Sequence, residues 1–193
     1  MCGRYFIDLD MDDGTLAQIV SDLNRRGAGD SLKTSGEVFP TDLVPVLARS
    51  RAGNEKPFAM RWGYTLSNGR RVINARSETA HERAMFAEGM QARRCLIPAS
   101  GYYEWRRQEK ARDKFAIRTD GGGAMYMAGL YRYEAGEPVF TILTRAPAPS
   151  VAFIHDRMPV IFPPDAAREW LDPMRSAQDV LRKAALSVSA DAV

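Results

Sequence analysis

The sequence predicts an α+β domain built on antiparallel sheet. Segments with strand character dominate the middle of the chain, and strands do not alternate with helices as they do in parallel-sheet folds. Between two of these segments lies Asp120-Gly121-Gly122-Gly123, a strong hairpin signal. Because 193 residues suffice for one buried core, we expect a single domain over residues 1–193.

Helices are predicted towards both ends of the chain. An amphipathic helix that ends before Gly27 is indicated by four apolar residues at helical spacing, Leu16, Ile19, Val20 and Leu23. A second helix is expected from Thr79, because Thr79 and Glu82 have the spacing of a capping box. Closing helices are predicted over 164–171 and 176–185.

The first predicted strand includes the aromatic residues of Cys2-Gly3-Arg4-Tyr5-Phe6. The other predicted strands cover 42–48, 57–64, 71–74, 95–98, 101–106, 114–118, 124–133, 139–144 and 158–162.

Composition excludes several classes of protein. Hydrophobic residues make up 45% and charged residues 26% of the chain, which rules out disordered, collagen-like and coiled-coil proteins. No apolar run approaches the ~20 residues of a membrane span, and acidic residues stand where a signal peptide has bases, so we expect a cytoplasmic protein without membrane association. Two cysteines and two histidines are too few for a disulfide scaffold or a metal site, and no metal is expected.

Positive charge is concentrated in the middle of the chain. The formal net charge is only +3, but residues 61–118 hold 13 Lys and Arg against 6 Asp and Glu. Arginine accounts for 22 of the 27 basic residues, and its guanidinium group is suited to bidentate phosphate contacts. Scattered, solvated charge is the alternative interpretation.

Cys2 is the most informative candidate. Removal of Met1 would give Cys2 a free amine beside its thiol, and such a 1,2-aminothiol condenses with aldehydes to a thiazolidine. It could equally serve as an N-terminal nucleophile for acyl transfer. A cysteine at position 2 of a disordered terminus is the alternative, against which the following aromatic residues argue. Cys95 is expected to be a buried structural thiol.

Two further positions are candidates for chemistry. Glu104 is flanked by aromatic residues and could act as a general acid or base, or face outward from its strand. His155 precedes Asp156 and Arg157 in a cluster suited to proton transfer, although a lone histidine is more often structural. His81 is expected at the surface.

Asn74 and Arg76 form another polar cluster after a predicted strand. Asn74 could hold an amine or a carbonyl group in place, and Arg76 could bind a phosphate. A helix-entry loop is the alternative.

Four motifs in this order, MCGRY, INARSET, RCLIPASGYYEW and IHDRMPVI, resemble the SOS-response-associated peptidase (SRAP) family. Its members include proteins that form protective crosslinks with abasic sites in single-stranded DNA. The resemblance runs from Cys2 to about Trp170. It implies a β-barrel-like core with flanking helices, no cofactor, and a monomer that acts in the cytoplasm and on nucleoid DNA.

The resemblance also implies roles for individual residues. Cys2 would be the crosslinking nucleophile, Asn74 would position its amine, Glu104 would be the acid and base, and His155 would assist opening of the abasic sugar. DNA contacts are implied for four further residues, Arg4, Pro40, Arg76 and Arg157. The family name implies a peptidase activity, and reaction through the Cys2 amine would permit an associated lyase activity.

The chain departs from the family pattern after Trp62. A second tryptophan is missing there, and the loop before Asn74 is short. Because that ring would stack on a base, its absence bears on how DNA is held rather than on the chemistry. Two alternatives remain: an N-terminal-nucleophile amidase or thiol peptidase, and a non-catalytic module that binds single-stranded DNA.

Overall fold

A computed structural model describes residues 2–11, 14–26, 31–107, 112–184 and 187–193. Its strands are β1 (Arg4–Ile7), β2 (Gly36–Val38), β3 (Leu43–Arg49), β4 (Glu55–Trp62), β5 (Tyr64–Thr65), β6 (Arg71–Val72), β7 (Asn74–Arg76), β8 (Arg94–Ala99), β9 (Gly101–Arg107), β10 (Arg112–Thr119), β11 (Met125–Glu134), β12 (Glu137–Arg145), β13 (Met158–Pro159), β14 (Ile161–Phe162) and β15 (Val188–Ala192). Its helices are α1 (Thr15–Arg25), α2 (Ala84–Ala92), α3 (Pro164–Leu171) and α4 (Ala177–Leu181), with 3₁₀ turns at Leu9–Met11 and Ala80–Glu82.

Five strands close into a barrel in the order β12-β4-β3-β8-β11, because β11 also pairs with β12. The barrel neighbours are antiparallel except β12 and β4, which are parallel with Val139 opposite Arg61. Near its end, β12 has β7 on one side and β13 on the other, so that Thr144 is paired with both Arg76 and Pro159. The predicted α+β fold with a barrel-like core and flanking helices is confirmed.

A second antiparallel sheet has the order β15-β10-β9-β1-β2. Its strand β1 lies between β2 and β9, with Tyr5 opposite both Val38 and Tyr102. Gly101, the first residue of β9, has no room for a side chain: a Cβ atom there would lie 2.5 Å from the carbonyl oxygen of Ile117 and 2.6 Å from the ring of Phe6. This close packing brings the N-terminal segment against the GYYEW motif.

Trp62 organises the core between the two sheets. It is fully buried, its ring stacks parallel to that of Phe140 with centroids 6.3 Å apart, and its Nε1 donates to the carbonyl oxygen of Ile73. The ring of Tyr5 packs on it at 5.3 Å. Burial of such large rings supplies much of the hydrophobic stabilisation of a domain this size.

The helices cover the barrel from outside. α1 buries the four apolar residues that the sequence predicts for its inner face. α3 buries Trp170, whose Nε1 donates to the carbonyl oxygen of Cys95. Cys95 is itself completely buried, as expected. Among the described residues, no helix is long and apolar enough to cross a membrane.

The predicted hairpin at 120–123 is wrong. β10 pairs with β9 and β15, whereas β11 pairs with β8, β12 and β14, so this segment connects two different sheets. Gly121, Gly122 and Gly123 all have positive φ, at 95°, 75° and 78°. Only glycine adopts such a run without strain, and here it turns the chain from one sheet to the other.

The predicted capping box is wrong as well. Thr79 makes no side-chain cap hydrogen bond, and α2 begins at Ala84, after the 3₁₀ turn and the extended residue Arg83. The predicted helix over 176–185 is shorter, since α4 ends at Leu181, and Ala185 lies outside the described residues.

Three predicted strands are interrupted. The first break is at Gly63, whose φ is 109°. The others are at Ile73, whose carbonyl oxygen binds Trp62 and the backbone N–H of Ile142, and at Val160, which is bonded to both neighbouring strands. Strands β2 and β15 have no counterpart in the sequence prediction.

Candidate functional site

Cys2 lies completely buried just before β1. The side-chain amide of Asn74 donates from Nδ2 to the carbonyl oxygen of Cys2 at 2.8 Å. β7 supplies this amide, because its parallel pairing with β12 sets Asn74 opposite Ile142. The Cys2 thiol donates towards the carbonyl oxygen of Arg4, with 3.6 Å between sulfur and oxygen. Two sequence candidates, 72 residues apart, are therefore in direct contact.

The surroundings of Cys2 keep its thiol protonated. Burial raises the pKa of the Cys2 thiol well above its usual range, and the nearby Glu104 carboxylate raises it further. Burial likewise raises the pKa of Tyr5 and of Tyr102, with Cys2 contributing to both shifts. Because the thiolate is the nucleophilic form, the sulfur needs a nearby group to take its proton.

Glu104 lies on β9 with its side chain buried and only 6% of the residue exposed. Pairing of Arg4 with Tyr103 puts Glu104 one residue beyond the last β1–β9 pair, beside the Cys2 segment. Its Oε1 accepts from the backbone N–H of Trp105 at 3.4 Å. Of the two orientations that the sequence leaves open, the structure has the buried one, next to the thiol.

His155 lies on the loop between β12 and β13, with 30% of its side chain exposed. The loop packs near Glu104: the ring of Phe153 meets that of Phe115 edge-on at 5.5 Å, and Phe115 is paired with Glu104 on β10. The structure thus brings the His155 loop to the strand pair that carries Glu104.

The Nδ1 atom of His155 has two neighbours. It lies 2.7 Å from Oδ1 of Asp156 and 3.1 Å from the backbone nitrogen of Arg157. A nitrogen without a proton accepts from Arg157, and one with a proton donates to Asp156. The position of the proton therefore selects the partner, which suits a group that transfers protons.

Arg157 fastens the histidine loop to the segment after β7. Its guanidinium group forms a bidentate ion pair with Glu78, at 2.8 and 2.7 Å, and also donates to the carbonyl oxygen of Thr144 at 2.6 Å. The hydrogen bonds from Arg157 lower the pKa of Glu78. This pairing links the INARSET and IHDRMPVI motifs, while Arg76 nearby is exposed at the end of β7.

Arg4 lies on the opposite face of β1 from Tyr5. Its guanidinium carbon is 4.7 Å from the centroid of the Phe39 ring and 5.0 Å from that of Trp105. Its Nη1 is 3.2 Å from Oε1 of Glu37. Arg4 is thereby sandwiched between two rings beside the Cys2 segment, a position from which it can reach a bound phosphate.

Pro40 belongs to a tight turn next to this sandwich. The backbone N–H of Phe39 donates to Oδ2 of Asp42, and the N–H of Asp42 donates back to Phe39. Thr41 has a φ of 80°, which is strained for a β-branched residue, and its backbone is held by Trp62 and Arg61. The turn is therefore fixed, with the Phe39 ring 39% exposed.

Sequence reasoning missed Phe39, Trp105 and Lys114 around the site. Only alternation along β9 could have indicated that Trp105 faces away from Glu104. The contacts to Phe39 and Lys114 depend on strand pairing. Among the residues that the structure describes, no group of three His, Cys, Asp or Glu side chains could hold a metal ion.

Sequence comparison finds relatives that match between 57% and 99% of the chain. It is 32% identical over 208 aligned residues to "Abasic site processing protein YoaM" of Bacillus subtilis, covering 99% of this chain and 88% of that one. It is 35% identical over 116 residues to "Abasic site processing protein YedK" of Escherichia coli, covering 57% and 52%. With "Abasic site processing protein HMCES" of Xenopus tropicalis it is 29% identical, covering 89% and 66%.

Solved structures have the same fold. A phage-related protein from Bordetella bronchiseptica superimposes with a TM-score of 0.77 at 24% identity, over 100% of this chain and 94% of that one. A protein from Bacteroides thetaiotaomicron gives a TM-score of 0.70 at 22% identity, over 81% and 77%. Residues 1–192 match the family described as SOS response associated peptidase. The chain therefore belongs to the SRAP family.

Proposed function

We propose that the protein recognises abasic sites in single-stranded DNA and captures them covalently through Cys2. The observation that carries this proposal is the meeting of Cys2, Asn74 and Glu104 at the start of β1. The names of the relatives, which describe abasic site processing, support the same substrate. Removal of Met1 is part of the proposal, because it frees the amine of Cys2.

The proposed reaction joins an amine and a thiol to one aldehyde carbon. The abasic sugar opens to its aldehyde, the Cys2 amine adds to C1′, and loss of water gives an imine. The Cys2 sulfur then bonds to the same carbon, and the thiol proton ends on nitrogen. The product is a five-membered thiazolidine that shields the lesion.

The contacts of the site assign a part to each group. Asn74 holds the Cys2 carbonyl through Nδ2, and its buried Oδ1 has no hydrogen-bond partner among the described residues, so it can accept from the Cys2 amine. Glu104 can take the proton from the thiol that burial keeps protonated, and it can protonate the carbinolamine oxygen that leaves as water. His155 would assist sugar opening.

Four residues are proposed to hold the DNA. Arg4 and Arg76 would bind phosphates, and Pro40 would offer an apolar surface next to Phe39, on whose ring Arg4 packs. Arg157 would contribute while also fixing the loop of His155. The imine also permits β-elimination of the 3′ phosphate, so a lyase activity belongs to the proposal. Release of Met1 or of the crosslink would account for a peptidase activity.

Intact mass spectrometry tests the proposal directly. The purified protein should lack Met1, and incubation with single-stranded DNA containing an abasic site should add the mass of the oligonucleotide less one water. Intact DNA of the same sequence should add nothing. Glu104→Gln should form the adduct at least tenfold more slowly, since general acid–base catalysis contributes about 10²–10⁴-fold.

Three cysteine variants separate the steps of the proposed reaction. Cys2→Ser keeps an amine but lacks sulfur, so it should give only an imine that borohydride traps. Cys95→Ala removes the other buried thiol and should react like the unmodified protein. A stable adduct in Cys2→Ala would contradict the proposal. An amidase would instead release ammonia from glutamine without a DNA adduct, and a pure binding module would give neither product.

A further inference from the structure

Basic and aromatic side chains interleave on the outer face of the β15-β10-β9-β1-β2 sheet. We call them the basic–aromatic ladder, and they comprise the rings of Phe39, Tyr103 and Trp105 and the cations of Arg4, Lys33, Lys114 and Arg118; the ring of Phe6, which packs against Tyr103, is buried. Strand register puts the ladder residues of β1, β9 and β10 on one face, because Arg4 is opposite Tyr103 and Lys114 is opposite Trp105. Phe39 joins them through its contact with Arg4, and Lys33 through its contact with Phe39. Tyr5 and Tyr102, a buried pair, point to the other face.

The near end of the ladder lies beside the reactive segment. Lys33 is 5.5 Å from the centroid of the Phe39 ring, and Arg4 lies between Phe39 and Trp105. Arg4 follows Cys2 by two residues, and Trp105 follows Glu104 directly. A strand held at Cys2 would therefore meet Arg4 first on leaving the site.

The ladder continues away from the site along β9 and β10. Lys114 lies 3.7 Å from the Tyr103 ring centroid and 5.7 Å from that of Trp105. Tyr103 stands 4.9 Å from Phe6, and Arg118 is 5.1 Å from Phe6. Rings and cations thus form one continuous row across three strands.

The cationic groups of the ladder are partly exposed, and each is paired with a carboxylate group of the protein. Between 29% and 40% of each cationic side chain is exposed. One carboxylate oxygen, Oε1 of Glu37, is shared by Arg4 at 3.2 Å and Lys114 at 3.3 Å. Asp42 pairs with Lys33 and Asp191 with Arg118. A phosphate oxygen has the same charge and size as that of Glu37, so it can compete for the two cations.

We propose that the basic–aromatic ladder binds the single-stranded DNA that flanks the lesion on one side. Aromatic rings stack on bases of any sequence while cations pair with phosphates, which is the chemistry of general single-strand binding. This inference rests on the proposed function. It adds a path for the strand and gives Phe39, Tyr103 and Lys114 a role in a chain that lacks the family's second tryptophan.

Non-covalent binding is the test, with a tetrahydrofuran abasic analogue that has no aldehyde. Fluorescence anisotropy compares a short oligonucleotide centred on the analogue with oligonucleotides extended by about six nucleotides on the 5′ or the 3′ side. Extension on one side should tighten binding about tenfold, as one stacked base is sufficient to do. Lys114→Gln and Tyr103→Leu should reduce this gain below about threefold, and Glu37→Gln should increase it.

A cation–ring pair elsewhere provides the matched control. Arg93 lies 5.6 Å from the Tyr133 ring on the barrel, so Arg93→Gln and Tyr133→Leu should retain the full gain. The proposal would be overturned if extension increased the DNA affinity of Lys114→Gln as much as that of the unmodified protein. It would also be overturned if neither extension increased the affinity. Loss of covalent capture on natural abasic DNA, with the gain intact, would instead contradict the proposed function alone.

Discussion

The side-chain amide of Asn74 holds the carbonyl oxygen of Cys2 at 2.8 Å, joining the first described residue to a strand at the edge of the barrel. The contact exists because β7 runs parallel to β12 and its pairing begins at Asn74, opposite Ile142. It fixes the backbone of the proposed nucleophile before any substrate arrives. Catalytic groups gain much of their rate advantage from such fixed positions.

Replacement of Asn74 tests this anchor. Asn74→Ala removes the donor to Cys2, and Asn74→Asp replaces it with a group that cannot donate when ionised. Both variants should form the DNA adduct at least about tenfold more slowly at saturating DNA, the equivalent of one hydrogen bond. Single-turnover kinetics measures the rate. An unchanged rate in both variants would show that the anchor is dispensable.

Stability should fall in alkaline solution. Burial raises the pKa of six of the described groups above their ordinary values of 9.0 for cysteine and 10.0 for tyrosine, namely Cys2, Cys95, Tyr5, Tyr64, Tyr102 and Tyr131. Below those pH values the cysteine and tyrosine side chains are protonated in both the folded and the unfolded chain. Above them the unfolded chain ionises and the folded chain does not, so the free energy of unfolding declines as pH rises.

Urea unfolding at a series of pH values measures this decline. Each of these groups contributes up to about 1.4 kcal/mol per pH unit once its unfolded form has ionised. The unfolding midpoint should change little between about pH 7 and pH 8 and fall steeply above about pH 9.5. A midpoint that stays level across the alkaline range would contradict the burial of these groups.

Among the arginines, Arg94 should cause the largest loss in the free energy of unfolding when it is replaced. It is 6% exposed and donates to the carbonyl oxygens of Met90, Trp170, Asp172 and Arg175, which ties α2 and α3 to β8. Arg94→Ala leaves the carbonyl oxygens of Met90 and Trp170 without this donor in the interior and should lower the free energy of unfolding by about 3–5 kcal/mol. Its neighbour Arg93, paired with Glu88, is the control, and Arg93→Ala should cost less than about 1 kcal/mol.

The Glu78–Arg157 pair should couple two motifs energetically. Arg157→Lys keeps the charge but loses the bidentate geometry, and Glu78→Gln loses the charge. A double-mutant cycle on urea unfolding should give a coupling energy of about 1 kcal/mol, because half of the Glu78 side chain is exposed. Both single variants should also slow DNA capture through the displaced His155 loop. Additive effects on stability would contradict the link.

Local patterns predicted those elements whose stabilising contacts are local. The apolar spacing of α1 and the bounds of α3 could be read from the sequence because one helix face packs on the barrel. The glycines at 121–123 were misread as a hairpin, since pairing with distant strands decides where β10 and β11 belong. Thr79 has the capping spacing, but the extended Arg83 ends the turn before α2 begins.

The candidate site divides in the same way. Cys2, Glu104, His155 and Asn74 stand out by residue type and motif, whereas the contact of Asn74 with Cys2 spans 72 residues and depends on sheet register. The sequence did not predict the basic–aromatic ladder for the same reason. Lys114 and Tyr103 meet only because β9 and β10 pair with Lys114 opposite Trp105.

The position of β1 has a mechanical consequence. Cys2 continues directly into this strand, which is hydrogen-bonded on one side to β2 and on the other to β9. Tension applied along the strand at Cys2 is therefore shared by both ladders in shear, instead of peeling hydrogen bonds one at a time. In the proposed adduct, DNA joined to Cys2 would pull on one of the best-supported backbone segments of the sheet, so a force on the DNA would load two ladders of hydrogen bonds at once.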